Sequence, residues 1–151
     1  MKGRETHTTN SPEETEALGW EFSRKLLPGD IVGLVGELGS GKTCFVRGVA
    51  KGLGVKGNVK SPSFTIINIH EREERKGEIN RLYHIDLYRI RSAEEFYDAG
   101  LEEYIYGKGI SVIEWADKFP ELVGVCTVVI RFSYKGERER EIVIQRRGGS
   151  A

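Results

Sequence analysis

Gly36-Glu37-Leu38-Gly39-Ser40-Gly41-Lys42-Thr43 is the stretch on which the reading of this chain turns. It follows an apolar run, Ile31 to Val35, opens a segment of helical periodicity starting at Thr43, and fits G-x-x-x-x-G-K-[ST] without a mismatch. Chance explains it poorly, because the chain's own frequencies of Gly, Lys and Ser/Thr lead to about a 2 per cent expectation of one accidental match. Gly36, Gly39 and Gly41 allow backbone angles closed to other residues and let main-chain N–H groups close around phosphate oxygens. The helix that follows aims its free N–H groups at the same anion. Lys42 can reach the β and γ phosphates as a mobile point charge, and the Thr43 hydroxyl is placed to ligate the Mg²⁺ that accompanies a nucleoside triphosphate. Cys44 offers only its backbone N–H, since no neighbouring base activates its thiol. The stretch 36–44 is therefore expected to bind a nucleotide with Mg²⁺.

Composition bounds the rest. The 151 residues, 38% hydrophobic and 30% charged, suffice for a single domain with a real core, and residues 1–10 and 146–151 read as flexible ends. Lys plus Arg equal Asp plus Glu at 23 each, so no global positive field would bind nucleic acid by charge alone. Cys44 and Cys126 match no metal spacing and read as small buried residues of a reducing compartment. No apolar run approaches a membrane span and the first ten residues lack a signal peptide's apolar stretch, so a cytoplasmic location is expected.

Ser11-Pro12-Glu13-Glu14 supplies an N-cap serine, a proline at the first helical position and a glutamate three residues after the cap. The helix it opens shows Leu18, Phe22 and Leu26 to the core and ends at Pro28-Gly29-Asp30. Ile31 to Val35 is a buried strand, and the helix after the loop presents Phe45, Val49 and Leu53 before stopping at Gly52-Leu53-Gly54. Phe64 to Ile69 and Arg81 to Ile90 read as a hairpin around the solvated charge run Glu71 to Glu78. Ser92-Ala93-Glu94-Glu95 caps a short helix to Gly100, and a helical turn covers Leu101 to Tyr106. Ile110 to Ile113 is a second buried strand, Phe119 to Leu122 a connector, and Val128 to Tyr134 with Arg138 to Gln145 a closing hairpin.

A phosphate loop needs an acidic partner for Mg²⁺ on a nearby strand. Asp86, in His84-Ile85-Asp86-Leu87-Tyr88-Arg89, and Glu114, at the C-terminal end of Ile110 to Ile113, are the candidates. In open α/β sheets that end is where ligands bind. One of the two acids is expected to bear on Mg²⁺ directly or through its water, and the other to position the attacking water; which does which stays open. His84 alone reads as a core histidine and Trp115 alone as packing. Thr9 and Asn10, just before the first helix, are the residues within reach of a nucleobase.

The loop with Arg47 beyond it, Ser61-Pro62-Ser63-Phe64-Thr65, the His84 to Arg89 run and Ile113-Glu114-Trp115 together resemble the TsaE (YjeE) family in order, spacing and total length, from roughly Pro12 to Ile144. The resemblance implies a P-loop NTPase-like three-layer α/β/α fold with a mixed sheet including β-hairpins. It also implies a bacterial ATPase, cycling ATP to ADP with Mg²⁺, in the machinery that makes N6-threonylcarbamoyladenosine on ANN-decoding tRNAs. Its partners would be the TsaD and TsaB proteins, with tRNA met only through that complex and no membrane contact. Residue by residue, the resemblance implies ATP at Gly36 to Thr43, Mg²⁺ at Thr43, Asp86 and Glu114, catalytic roles for Lys42, Asp86 and Glu114, a switch-like segment from Ser61 to Thr65, and a required tryptophan at Trp115. Departures are slight: Ser63 stands where threonine is common, and Ala116-Asp117 where some members have proline and glutamate.

A small P-loop kinase is the main rival. Such kinases carry an Arg-rich lid, whereas the dense arginines here, Arg138, Arg140, Arg146 and Arg147, fall in the last hairpin and tail. A GTPase is disfavoured because no [NT]-K-x-D guanine-reading motif occurs.

Overall fold

The computed structural model describes residues 3–37, 41–55, 66–74 and 77–147. Their strands form one seven-stranded sheet with the order β1-β7-β6-β2-β5-β4-β3. Its strands are β1 (Arg4–Thr9), β2 (Ile31–Gly36), β3 (Ile67–Glu71), β4 (Arg81–Asp86), β5 (Ile110–Glu114), β6 (Val128–Tyr134) and β7 (Arg140–Arg146). The central strands β6, β2, β5 and β4 run parallel, while the β6–β7, β7–β1 and β4–β3 pairs are antiparallel. The result is a mixed sheet edged by hairpins, as the α/β expectation required.

The near-continuous apolar runs of β2 and β5 are those of strands covered on both faces. Alternation sorts their side chains into two cores. Val32, Leu34, Leu82, Ile110 and Val112 pack with Phe45, Val46 and Val49 of α2 (Lys42–Leu53) and Phe22 of α1 (Pro12–Ser23). Ile31, Ile85 and Ile113 face the other way, toward Phe96 of α3 (Ala93–Asp98), Ile105 of α4 (Glu102–Ile105) and Leu122 of α5 (Pro120–Val125). Both serine caps form as read: Ser11 Oγ accepts the Glu14 N–H and Ser92 Oγ the Glu95 N–H.

Several boundaries differ from the sequence reading. Residues 4–9, read as part of a flexible end, form β1, an edge strand zipped to β7 from Arg4↔Gln145 to Thr9↔Arg140. Arg-Glu-Thr-His-Thr-Thr carries no apolar alternation; its place depends on backbone bonding to the β7 edge. Arg146, assigned to a frayed tail, ends β7 and pairs with Asp30. The connector at Phe119 to Leu122 is instead the start of α5, with Pro120 at its first position and Leu122 fully buried. The strand expected to reach Ile90 stops at Asp86, whose carboxylate accepts the Tyr88 N–H and turns the chain.

Candidate functional site

The loop leaves β2 at the middle of the sheet and delivers the chain to α2. Gly36 has φ 153° and Gly41 φ 108°, angles at which an L side chain is strained. Gly41 is the N-cap of α2 and carries no side-chain cap, so the first-turn N–H groups are left for another acceptor. Leu38, Gly39 and Ser40 lie outside the described residues, as do Ser61 and Thr65 with the rest of 56–65.

Lys42 is only 4% exposed. Its ammonium donates to the Gly36 carbonyl at 2.7 Å and sits 3.9 Å from the centroid of the Trp115 ring. Burial holds its pKa below the ordinary lysine range, and the charges of Glu114, Asp86 and Asp117 counter part of that effect. Thr43 and Cys44 are half-buried in the first turn of α2.

The two candidate acids come together through strand register. Asp86 ends β4, Glu114 ends β5, and the parallel pairing sets them directly beside each other. They are 3% and 4% exposed. Their face of the sheet is that of Leu82, Ile110 and Val112, the side covered by α2, so they arrive beneath Lys42. Asp86 Oδ1 accepts the Tyr88 N–H at 2.8 Å, and the Asp86 N–H donates to the carbonyl of Ile66, the residue that follows Ser61 to Thr65. Glu114 Oε2 accepts from His84 Nε2 at 2.5 Å. His84 is buried as expected of a core histidine, but its partner is one of the two acids, which the reading of it as plain packing missed. Trp115 has φ 63°, an uncommon value for a bulky residue, and its ring lies 5.3 Å from that of Tyr88.

No group of three or more His, Cys, Asp or Glu among the described residues is arranged to hold a metal ion. The donors present are hard oxygens, the Thr43 hydroxyl and two adjacent carboxylates. Such a set fits Mg²⁺, which is usually held by one or two carboxylates together with substrate phosphates.

Two cavities flank the loop. One of about 410 Å³ runs from Asn10, Ser11 and Pro12 past Thr15 to Gly41 and Cys44, and is closed by Glu137, Arg138 and Arg140 of the β6–β7 hairpin. The other, of about 600 Å³, lies between Val35, Gly36 and Glu37 on one side and Trp115, Phe132 and Tyr134 on the other. Asn10 lines the first of these cavities. Thr9 is turned away, its buried hydroxyl 2.7 Å from that of Thr15. Arg138 and Arg140 border the first cavity although they lie nearly a hundred residues from the loop, a closeness that no local pattern announces.

A mixed sheet between two helical layers, with a G-x-x-x-x-G-K-T loop joining its central strand to a helix, defines a protein of P-loop NTPase-like fold. Residues 9–142 match the family model for threonylcarbamoyl adenosine biosynthesis protein TsaE. The chain is 38% identical over 136 residues to the tRNA threonylcarbamoyladenosine biosynthesis protein TsaE of Treponema pallidum, covering 90% of this chain and 96% of that one. It is 40% identical over 142 residues to the protein of the same name from Bacillus subtilis, covering 94% and 85%. The crystal structure of Bacillus subtilis YdiB superposes with a TM-score of 0.74 at 34% identity, covering 98% of this chain and 88% of that one. The chain belongs to the TsaE family, and membership brings a nucleotide-binding, ATPase-type character with it. No helix among the described residues is long and apolar enough to cross a membrane.

Proposed function

We propose that this chain is the ATP-binding and ATP-hydrolysing component of the machinery that installs N6-threonylcarbamoyladenosine on tRNA, acting in the cytoplasm on a TsaD–TsaB complex and resetting it between turnovers. The observation that carries the reading is the meeting of Lys42, Asp86 and Glu114 at the C-terminal ends of neighbouring parallel strands beneath the start of α2. The names of the relatives supply the pathway.

In this reading the loop 36–44 holds the phosphates, and the base occupies the cavity between Asn10, Cys44 and the β6–β7 hairpin. Lys42 exchanges the Gly36 carbonyl for phosphate oxygen, the stronger charge-assisted acceptor. Thr43 and one of Asp86 and Glu114 would hold Mg²⁺, which supplies charge neutralisation on the phosphate oxygens. The other acid orients the attacking water. Ser61 to Thr65 act as a switch, and the next residue, Ile66, accepts the Asp86 N–H at 2.8 Å. Trp115, strained and packed on Lys42, is the residue through which a partner would sense that lysine's position. Contact with tRNA is indirect, in keeping with the balanced charge.

The test is reconstitution with TsaD, TsaB, the threonylcarbamoyl donor and tRNA. Modification over repeated turnovers should need this chain and ATP, fail with Lys42→Ala, and be accompanied by ATP hydrolysis that is slow in the isolated chain and stimulated by the partners. Repeated turnover without the chain, or with Lys42→Ala, overturns the reading. Arg138 and Arg140 beside the cavity favour one rival, a small P-loop kinase in which the γ-phosphoryl goes to a substrate; a phosphorylated product in cell extract would support it.

A further inference from the structure

Glu114 has two carboxylate oxygens and a buried position with little water to orient them. One oxygen, Oε2, is taken by His84 Nε2 at 2.5 Å. A carboxylate only accepts, so the ring nitrogen is the donor. The other ring nitrogen, Nδ1, has no partner among the described residues. Among the described residues, the bond to Glu114 is therefore the one polar contact of a fully buried imidazole.

The strand register explains how the two meet. His84 pairs with Val112 and Asp86 with Glu114, so His84 sits one pleat behind Asp86 on the same face of β4 and reaches diagonally to the end of β5. Leu82, two residues earlier on that face, is wholly apolar packing in the core that holds Val112. Packing alone would be served at position 84 by leucine too, without burying a nitrogen that finds no partner.

We propose that His84 is a positioning residue for Glu114: it holds Oε2 back against the sheet, so that Oε1 is the oxygen presented to the reacting end of the nucleotide. This deepens the ATPase reading above and rests on it. With Oε2 held, Glu114 has one working oxygen, while Asp86, tethered through Oδ1 to the Tyr88 N–H, is oriented by its own backbone turn. The two carboxylates thus have different hydrogen-bond donors, and loss of His84 removes the one that holds Glu114.

The test compares His84→Leu, which keeps bulk and removes the donor, with His84→Gln, whose side-chain amide N–H can replace Nε2, each alone and combined with Glu114→Gln. ATP affinity is measured by calorimetry, turnover by phosphate release with and without the partner proteins, and folding by thermal melts. His84→Leu should lower kcat by about 10-fold or more, the scale of a hydrogen bond to a charged group, while ATP affinity changes by less than about 3-fold. His84→Gln should recover part of the loss. His84→Leu/Glu114→Gln should be no slower than Glu114→Gln alone, because the donor then has no carboxylate to aim. Wild-type kcat in His84→Leu overturns the proposal, as does a loss that multiplies with that of Glu114→Gln, or a parallel loss of ATP affinity. Should His84→Leu melt below the assay temperature, absence of any coupling between His84→Gln and Glu114→Gln overturns it instead. No ATP turnover by the wild-type chain, alone or with partners, overturns the ATPase reading itself.

Discussion

Alanine at Gly48 should loosen the joint between α1 and α2, even though alanine is the better helix former. A Cβ built on Gly48 would lie 1.9 Å from the Glu16 carbonyl oxygen and 2.9 Å from the Trp20 nitrogen, both backbone atoms of α1. Restoring ordinary contact at 3.4 Å requires the helices to part by about 1.5 Å. Gly19 and Gly52 make equally close approaches at the same crossing, to the Phe45 carbonyl and to Ser23, so no neighbouring stretch can absorb the shift. Parting the helices also opens the packing of Phe22 on Phe45, whose ring centroids are 5.5 Å apart. The favourable change in helix propensity is about 1 kcal/mol, while overpacking costs about 1–3 kcal/mol and more where rigid backbone is the obstacle. A net loss of about 2 kcal/mol should lower the melting temperature by about 4–8 °C in a domain of this size. Gly124→Ala in α5, where a Cβ meets nothing within 4 Å, is the control and should raise stability slightly. Thermal melts of the three proteins decide the matter. A Gly48→Ala protein melting at or above wild type would mean that the crossing is looser than its geometry and that propensity wins. Because Asn10, Ser11, Pro12 and Thr15 border one cavity with Gly41 across this joint, ATP affinity should weaken with stability.

Asp30 offers a test by pH: burial raises its pKa, but hydrogen bonds from Arg146, the Leu27 N–H and Thr127 outweigh that and hold it below the ordinary aspartate value of 3.8. A depressed carboxylate contributes stability above its unfolded pKa and loses it as pH falls through the lower folded value. Arg146→Met should therefore cost about 1–3 kcal/mol at neutral pH, with the gap to wild type closing below about pH 4 in melts across pH. An unchanged gap down to pH 2 would refute the assignment. The thiols should separate: burial pushes Cys126 up to about 11 while Arg147 opposes it, and its Sγ donates to the Leu122 carbonyl. Cys44 is half-buried at the cavity edge. A maleimide should label Cys44 first, more slowly with ATP present, as read by peptide mass; prior labelling of Cys126 would contradict this.

Much of the molecule is legible from short-range chemistry. The phosphate loop, the serine caps of α1 and α3 and the apolar runs of β2 and β5 are each encoded within a dozen residues, where turn geometry, cap bonds and burial act on neighbours in the chain. The same local rules were silent on β1, because a polar edge strand without apolar alternation is placed by the backbone of β7 and by contacts to remote residues such as Lys25. They also misplaced Arg146, whose bond to Asp30 spans more than a hundred residues.

Placement in or at the end of predicted strands marked Asp86 and Glu114 as the candidate acids, since a triphosphate with Mg²⁺ demands such groups near the loop. Their relation was not in the sequence. It arises where β4 and β5 pair in parallel, bringing Asp86 beside Glu114 and His84 within a hydrogen bond of it. Lys42 against Trp115, and Arg138 and Arg140 around one cavity with Gly41, are products of the same kind. Identity of the chemistry follows from which groups a chain possesses; division of labour among them follows from distances, and distances between remote residues exist only once the sheet has set its register.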